Sequence, residues 1–95
     1  MEIKINIYKD CSSEAPSKTY VIRRLLFKTA KELGSLQDEA KTTEDQEAIT
    51  LKMLQCVIPE FTKEDLEGVD PIELGAFFRE LGQETSRVVA DAQKN

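Results

Sequence analysis

Residues 2–8 read EIKINIY, and this stretch decides how the rest of the chain must fold. Ile3, Ile5 and Ile7 alternate with polar side chains, and this period of two with β-branched residues predicts a strand with one buried face. Residues outside this stretch must therefore supply both a strand that pairs with it and a layer that covers its apolar face.

The residues that follow predict a β-hairpin over about residues 2–21. Residues 9–17 are rich in Asp, Ser and Pro, which is typical of a loop. From Lys18 to about Val21 a second short strand returns to pair with the first. Because an isolated two-stranded hairpin is only marginally stable in water, helices must cover its isoleucine face.

Four helices are predicted after the hairpin, over about residues 22–40, 44–58, 63–67 and 71–92. The first has apolar or small side chains at three- and four-residue spacing, which gives it one apolar face. The residues of that face are Ile22, Leu25, Leu26, Thr29, Ala30, Leu33, Leu36 and Ala40.

Capping signals set the starts of the later helices. Thr43 with Gln46 fits a capping box for the second helix. Thr62 starts the short third helix, with the acidic Asp65 three places on. A cap residue, a proline and, two places later, a glutamate stand within residues 70–73, and this order is the start signal of the last helix.

Glycine is expected to interrupt two of these helices, because it weakens a helix interior by about 1 kcal/mol relative to alanine. Gly34 should kink or end the first helix, and Gly82 should divide the last. The order of elements predicts a single domain over residues 1–95. Its fold class is α+β and mostly helical, with an N-terminal β-hairpin packed on three to four α-helices.

The composition restricts the classes of function. The 95 residues carry 13 basic and 18 acidic side chains, a net charge of −5. An acidic surface repels phosphate backbones, so nucleic acid is a poor candidate partner. No apolar leader or membrane-span pattern is present, and no membrane partner is expected. Cys11 and Cys56 match no Cys-x-x-Cys pattern and fit a reducing compartment, so the cytoplasm is the expected location.

The side chains that catalysis would need are sparse. There is no histidine, which excludes Ser-His and Cys-His nucleophile pairs and histidine-based zinc sites. Residues 63–74 depart from a calcium-binding loop, since Lys63 stands at the first ligand position and Leu74 at the last. No Gly-rich phosphate loop is present. We therefore expect a protein that is not an enzyme, needs no cofactor or metal, and acts by binding another protein.

Charge is unevenly distributed along the chain. Residues 1–31 carry seven basic and three acidic side chains (net +4), whereas residues 32–73 carry three basic and twelve acidic ones (net −9). On the predicted first helix, Arg24, Lys28 and Lys31 fall on one stripe. This stripe is either plain solvated surface or a docking site for an acidic partner, which includes the acidic half of a second copy.

Apolar neighbours on the last helix raise a second question about partners. Adjacent helical residues point about 100° apart, so Phe77 and Phe78 are both buried only if the helix is covered on two sides. Phe77 is expected in the core, whereas Phe78 belongs either to the core or to a partner surface. Val88 and Val89 pose the same alternatives. The candidate partner-binding residues are Arg24, Lys28, Lys31, Phe78, Val88 and Val89.

Four segments of the chain carry a family resemblance. They are residues 5–10 (INIYKD), 18–20 (KTY), 31–37 (KELGSLQ) and 59–74 (PEFTKEDLEGVDPIEL). In this order they resemble the tail assembly chaperones of long-tailed phages and prophages of Gram-positive bacteria. The resemblance covers roughly residues 2–84 and is strongest over FTKEDLEGVDPIEL.

The resemblance implies a role. Members of that family bind the tape measure protein, a long helical apolar phage protein that sets tail length, keep it soluble and help recruit the tail tube protein. It thus implies these two partners, a location in the cytoplasm of the bacterial host, and absence from the mature virion. Many copies per client would be needed, so a homo-oligomer is also expected. The alternative is a small acidic regulatory binding module, an anti-repressor or an inhibitor of a host protein, whose surface mimics nucleic acid.

Overall fold

The computed structural model describes residues 2–94, and the side chains of residues 2–90. The elements in chain order are β1 (Ile3–Ile7), β2 (Lys18–Ile22), α1 (Phe27–Ala40), α2 (Gln46–Val57), α3 (Lys63–Glu67) and α4 (Pro71–Lys94). This arrangement confirms the predicted α+β class, with an N-terminal hairpin followed by helices. No helix within residues 2–94 is both long and apolar enough to cross a membrane.

The hairpin follows the alternation of its sequence. β1 and β2 are antiparallel, with Ile3 opposite Ile22, Ile5 opposite Tyr20 and Ile7 opposite Lys18. The three isoleucines of β1 are all buried, as the period of two requires. β2 extends one residue beyond its predicted end, because Ile22 pairs with Ile3 and buries its side chain in the core.

One core unites the hairpin with the helices. α4 packs against β1, and α1 packs against both α2 and α4. The buried apolar residues of this cluster are Ile3, Ile5, Ile7, Ile22, Leu33, Leu54, Ile58, Phe61, Phe77 and Leu81. The helices therefore cover the isoleucine face that the hairpin cannot bury by itself.

A second contact fastens the hairpin to the segment between α3 and α4. The Tyr8 backbone N–H donates to the Gly68 carbonyl at 2.7 Å, and Ile7 forms an isolated antiparallel bridge with Val69. A Cβ at Gly68 would lie 2.7 Å from the Tyr8 carbonyl oxygen and 2.9 Å from Cγ2 of Ile7. Glycine is required here because the two backbones approach so closely.

Two predicted helix starts are wrong. α1 begins at Phe27 and not at residue 22, because Ile22 belongs to β2 and residues 23–26 form a non-helical link. α2 begins at Gln46, and its cap is Asp45, whose carboxylate accepts the Ala48 N–H at 3.0 Å. The expected Thr43–Gln46 capping box is therefore absent.

The other capping signals are confirmed. Thr62 and Asp65 form a reciprocal capping box at the start of α3. Pro71 is the first residue of α4, and the Asp70 carboxylate accepts the Ile72 N–H at 2.8 Å. Neither Gly34 nor Gly82 ends its helix: α1 continues to Ala40, and α4 is one helix from Pro71 to Lys94. Their cost is offset by packing of the helices on the core.

Candidate functional site

The predicted basic stripe is divided by the late start of α1. Lys28 and Lys31 lie one turn apart on α1 and both are exposed. Arg24 is also exposed, but it lies in the non-helical link, so its predicted place on the same helical face is wrong.

An exposed apolar pair lies beside these basic residues, and the sequence pattern did not indicate it. Leu26 is 51% exposed and Phe27 is 48% exposed, whereas Leu25 packs partly against the core. The Lys31 ammonium lies 5.5 Å from the centroid of the Phe27 ring, which is within the range of a cation–π contact. The sequence predicts a helix that starts at Ile22, and this start places Leu26 on its apolar face. Three consecutive bulky apolar residues, which cannot share one helical face, were the available signal.

The two lysines also line an open groove between α1 and α2. The volume of this groove is about 840 Å³, and we call it the α1–α2 groove. It is lined by Lys28, Lys31, Glu32, Ser35, Leu36, Lys52, Gln55 and Cys56. Three lysines against one glutamate give the lining a net charge of +2 (3 − 1) in a chain whose net charge is −5.

The thiol in this groove is a packing group. Cys56 is half-buried and packs against the core. Burial raises the pKa of the Cys56 thiol, and the neighbouring Glu32 carboxylate raises it further. The thiol is therefore protonated at neutral pH and, with Leu36, contributes a weakly polar surface to the lining of the groove.

A second groove, of opposite sign, lies between the hairpin loop and the α3–α4 segment. Its volume is about 1140 Å³, and we call it the acidic groove. Its charged residues are Asp10, Glu14, Glu64, Asp65, Glu67, Asp70 and Glu73, with Lys9 and Lys18. Seven acids against two bases give a net charge of −5 (2 − 7), so the fold concentrates the two signs of charge in two different grooves.

The buried acid of the acidic groove is fully engaged in structure. Asp65 accepts a hydrogen bond from the Tyr20 hydroxyl at 2.6 Å, from the Lys18 ammonium at 3.2 Å and from the Thr62 N–H at 3.1 Å. Burial works to raise the pKa of Asp65, but the bonds from Tyr20, Thr62 and Lys18 outweigh it, and the pKa is lowered. Among the described residues, no group of three or more acidic or cysteine side chains is placed to hold a metal ion.

The predicted partner-binding residues on α4 lie apart from the α1–α2 groove. Phe77 is buried, as expected. Phe78 is half-buried, and its ring meets that of Phe77 edge to face, with 5.6 Å between the centroids. Val88 and Val89 are half-buried. None of Phe78, Val88 and Val89 is among the residues that line the α1–α2 groove.

Of the predicted partner-binding residues, Lys28 and Lys31 line the α1–α2 groove, and the exposed pair Leu26 and Phe27 directly precedes Lys28 in the chain. Comparison of the chain with protein-family models, with curated proteins and with solved structures finds no match.

Proposed function

We propose that this protein is a non-enzymatic tail assembly chaperone that binds the tape measure protein, keeps it soluble and helps recruit the tail tube protein. The observation that carries the proposal is the exposed pair Leu26–Phe27, which is flanked by the exposed basic residues Arg23, Arg24 and Lys28. An exposed apolar pair with a basic rim is suited to binding another protein.

The physical task of such a chaperone suits both the exposed apolar pair and the acidic groove. A long helical client with exposed apolar stripes aggregates unless those stripes are covered. Leu26 and Phe27 supply apolar contact area, and the acidic groove supplies net negative charge that keeps the complex in solution. The protein then acts in the cytoplasm of the bacterial host and is absent from the mature virion.

Co-expression with the tape measure protein tests the proposal. We expect the tape measure protein to be insoluble alone and to co-elute with wild-type protein from a sizing column. The double variant Leu26→Ser with Phe27→Ser should leave it insoluble. Ile72→Ser is the matched control, because Ile72 is 84% exposed but lies at the start of α4 beside the acidic groove. A client that stays insoluble with the wild-type protein would refute the proposal.

The acidic groove favours a second candidate function, a small acidic regulatory module that acts as an anti-repressor or as an inhibitor of a host protein. A concave surface with six carboxylates besides the buried Asp65 can occupy the phosphate-binding surface of a basic target. In that case binding to a DNA-binding protein should weaken steeply with salt. Glu64→Lys with Glu67→Lys should abolish it, whereas the Leu26 and Phe27 variants should not.

A further inference from the structure

We propose that the α1–α2 groove binds an acidic amphipathic helix of the partner protein. This inference rests on the proposed function and deepens it, since it specifies the chemistry of the client segment. The groove is basic although the chain is acidic, and one of its lysines, Lys31, contacts the exposed ring of Phe27 beside it.

The shape of the groove suits one helix. On α1 its lining runs from Lys28 to Leu36, which spans about 12 Å at 1.5 Å per residue. The groove lies between the packed helices α1 and α2 and is open to solvent, with a volume of about 840 Å³, so it can receive side chains from about two turns of a docked helix. Helices that dock in this way present apolar residues at three- and four-residue spacing.

The groove offers apolar contacts for such a face. Leu36 and Cys56 are half-buried and line the groove, so that each keeps part of its surface accessible. Phe27 lies beside it, with its ring 5.5 Å from the Lys31 ammonium. A partner helix that covers these three side chains removes apolar area from water, which supplies affinity.

The charge of the groove selects an acidic helix. Lys28, Lys31 and Lys52 line the groove, and Glu32 is the one acid in its lining. The Lys52 ammonium also lies 4.0 Å from Oε1 of Glu39, so the attraction for an acidic partner comes mainly from Lys28 and Lys31. Glutamate or aspartate at the edges of a partner helix would pair with these ammonium groups, whereas a basic helix would place like charges together. A nucleic acid duplex, the other anionic candidate, would present phosphates and no apolar face, so it could not cover Leu36 and Cys56.

Charge reversal tests the inference on the complex with the tape measure protein. Lys28→Glu with Lys31→Glu should reduce the amount of soluble complex by about tenfold or more, because two attractions become repulsions. The matched control is Lys9→Glu with Lys63→Glu, which changes the net charge equally at exposed positions outside the groove. Equal losses in both double variants would overturn the inference while leaving the chaperone function in place.

A zero-length carbodiimide, which joins an amine to a carboxylate, identifies the occupant directly. In the wild-type complex, mass spectrometry should find Lys28, Lys31 or Lys52 joined to aspartate or glutamate of the client. Links from client lysines to Glu32, with the groove lysines unreacted, would contradict an acidic occupant. Links from the groove lysines to carboxylates of a second copy would show that the groove is a contact within a homo-oligomer, and would overturn the inference of a client helix.

A peptide pair separates failure of this inference from failure of the proposed function. Two labelled amphipathic peptides of about 14 residues share one apolar face, and their flanking residues are all glutamate or all lysine. By fluorescence anisotropy the wild-type protein should bind the glutamate peptide, and the Lys28→Glu, Lys31→Glu variant should lose it. If the tape measure protein does not bind at all, the proposed chaperone function is refuted. The peptide assay then still tests whether the α1–α2 groove binds an acidic helix. Equal or absent binding of both peptides to the wild-type protein would refute the inference.

Discussion

The hydroxyl of Tyr20 donates a 2.6 Å hydrogen bond to Oδ2 of Asp65, a residue 45 positions further along the chain. The same carboxylate accepts the Thr62 N–H and so completes the capping box at the start of α3. One buried acid therefore joins the outer strand of the hairpin to the start of a helix. Hydrogen bonds to a buried charged group contribute more to the free energy of unfolding than bonds between neutral groups. The Asp65 carboxylate should therefore contribute strongly to the stability of the fold.

Replacement of Asp65 by alanine should destabilise the fold by about 2–4 kcal/mol. The variant removes the acceptor of the Thr62 N–H, a hydrogen bond worth about 1 kcal/mol, and leaves the Tyr20 hydroxyl without its acceptor, which costs about 1–3 kcal/mol. Urea denaturation measures the change in the free energy of unfolding. Asp45→Ala is the matched control, because Asp45 caps α2 from an exposed position and should cost only about 1 kcal/mol.

A double-mutant cycle then isolates the Tyr20–Asp65 bond. Tyr20→Phe removes the hydroxyl and keeps the ring, which lies 5.5 Å from that of Phe61. The losses from Tyr20→Phe and Asp65→Ala should not add, because each variant already breaks the shared bond. Strict additivity would show that this contact contributes nothing to stability.

Acid should weaken the fold partly through Asp65. The pKa of Asp65 is lowered in the folded state from its usual 3.8, so folding favours the ionised carboxylate. This contribution is fully present above pH 3.8 and is lost as the pH falls below it through the folded-state value. Unfolding free energies measured from pH 6 down to about pH 2 should fall more steeply for wild type than for Asp65→Asn. Parallel curves would contradict this assignment.

Alkali should weaken the same cluster from the other side. The hydrogen bond to Asp65 is the main cause of a raised pKa for Tyr20, whose usual value is 10.0. Folding therefore favours the protonated phenol; this contribution is fully present below pH 10.0 and is lost as the pH rises through the raised folded-state value. Ultraviolet titration of the tyrosinate band should show a tyrosine of raised pKa, and Asp65→Asn should bring that pKa down. An unchanged titration curve in Asp65→Asn would exclude this coupling.

Gly68→Ala should destabilise the protein by about 1–3 kcal/mol, the range for overpacking at a tight site. Its new methyl group would meet the Tyr8 carbonyl oxygen at 2.7 Å, and a backbone atom cannot rotate away. Gly75→Ala is the opposite control, since Gly75 is exposed within α4 and a Cβ there meets nothing within 4 Å. That variant should gain about 0.5–1 kcal/mol. Thermal unfolding that ranks Gly68→Ala above Gly75→Ala would refute the close approach.

Much of this fold could be predicted because hydrophobic alternation and capping signals depend on residues that are close together in the sequence and lie in the same strand or helix. The alternation at Ile3, Ile5 and Ile7 and the Thr62–Asp65 capping box both specify structure within a few residues of themselves. The exposure of Leu26 and Phe27 was missed because it depends on where β2 ends, and that end is set by pairing with β1. A pattern within one segment of the sequence does not show how that segment pairs with a distant one.

The same limit explains the misplaced parts of the candidate site. Lys52 lies near Lys28 and Lys31 because α2 packs against α1. The basic stripe that the sequence predicts on the first helix therefore contains only two of the three lysines that line the α1–α2 groove. The sequence predicts that Gly34 interrupts the first helix, but α1 continues through it, because packing of the helix on the core outweighs a propensity cost of about 1 kcal/mol.

Truncation of two aromatic residues should separate a surface role from a core role. Phe78→Ala should cost about 2–3 kcal/mol in the free energy of unfolding, because the ring is half-buried and packs edge to face on Phe77. Phe27→Ala should cost less than about 1 kcal/mol, because the ring is 48% exposed on the first turn of α1.

Binding should rank the same two variants in the reverse order. Phe27→Ala removes an aromatic contact beside the α1–α2 groove and should reduce the soluble complex with the tape measure protein, although the fold stays intact. Phe78→Ala, assayed at a temperature where its circular dichroism matches wild type, should retain the complex. If Phe78→Ala loses binding under that condition and Phe27→Ala does not, then α4 supplies the partner surface, and the docking site must be moved from the α1–α2 groove to the face that carries Phe78, Val88 and Val89.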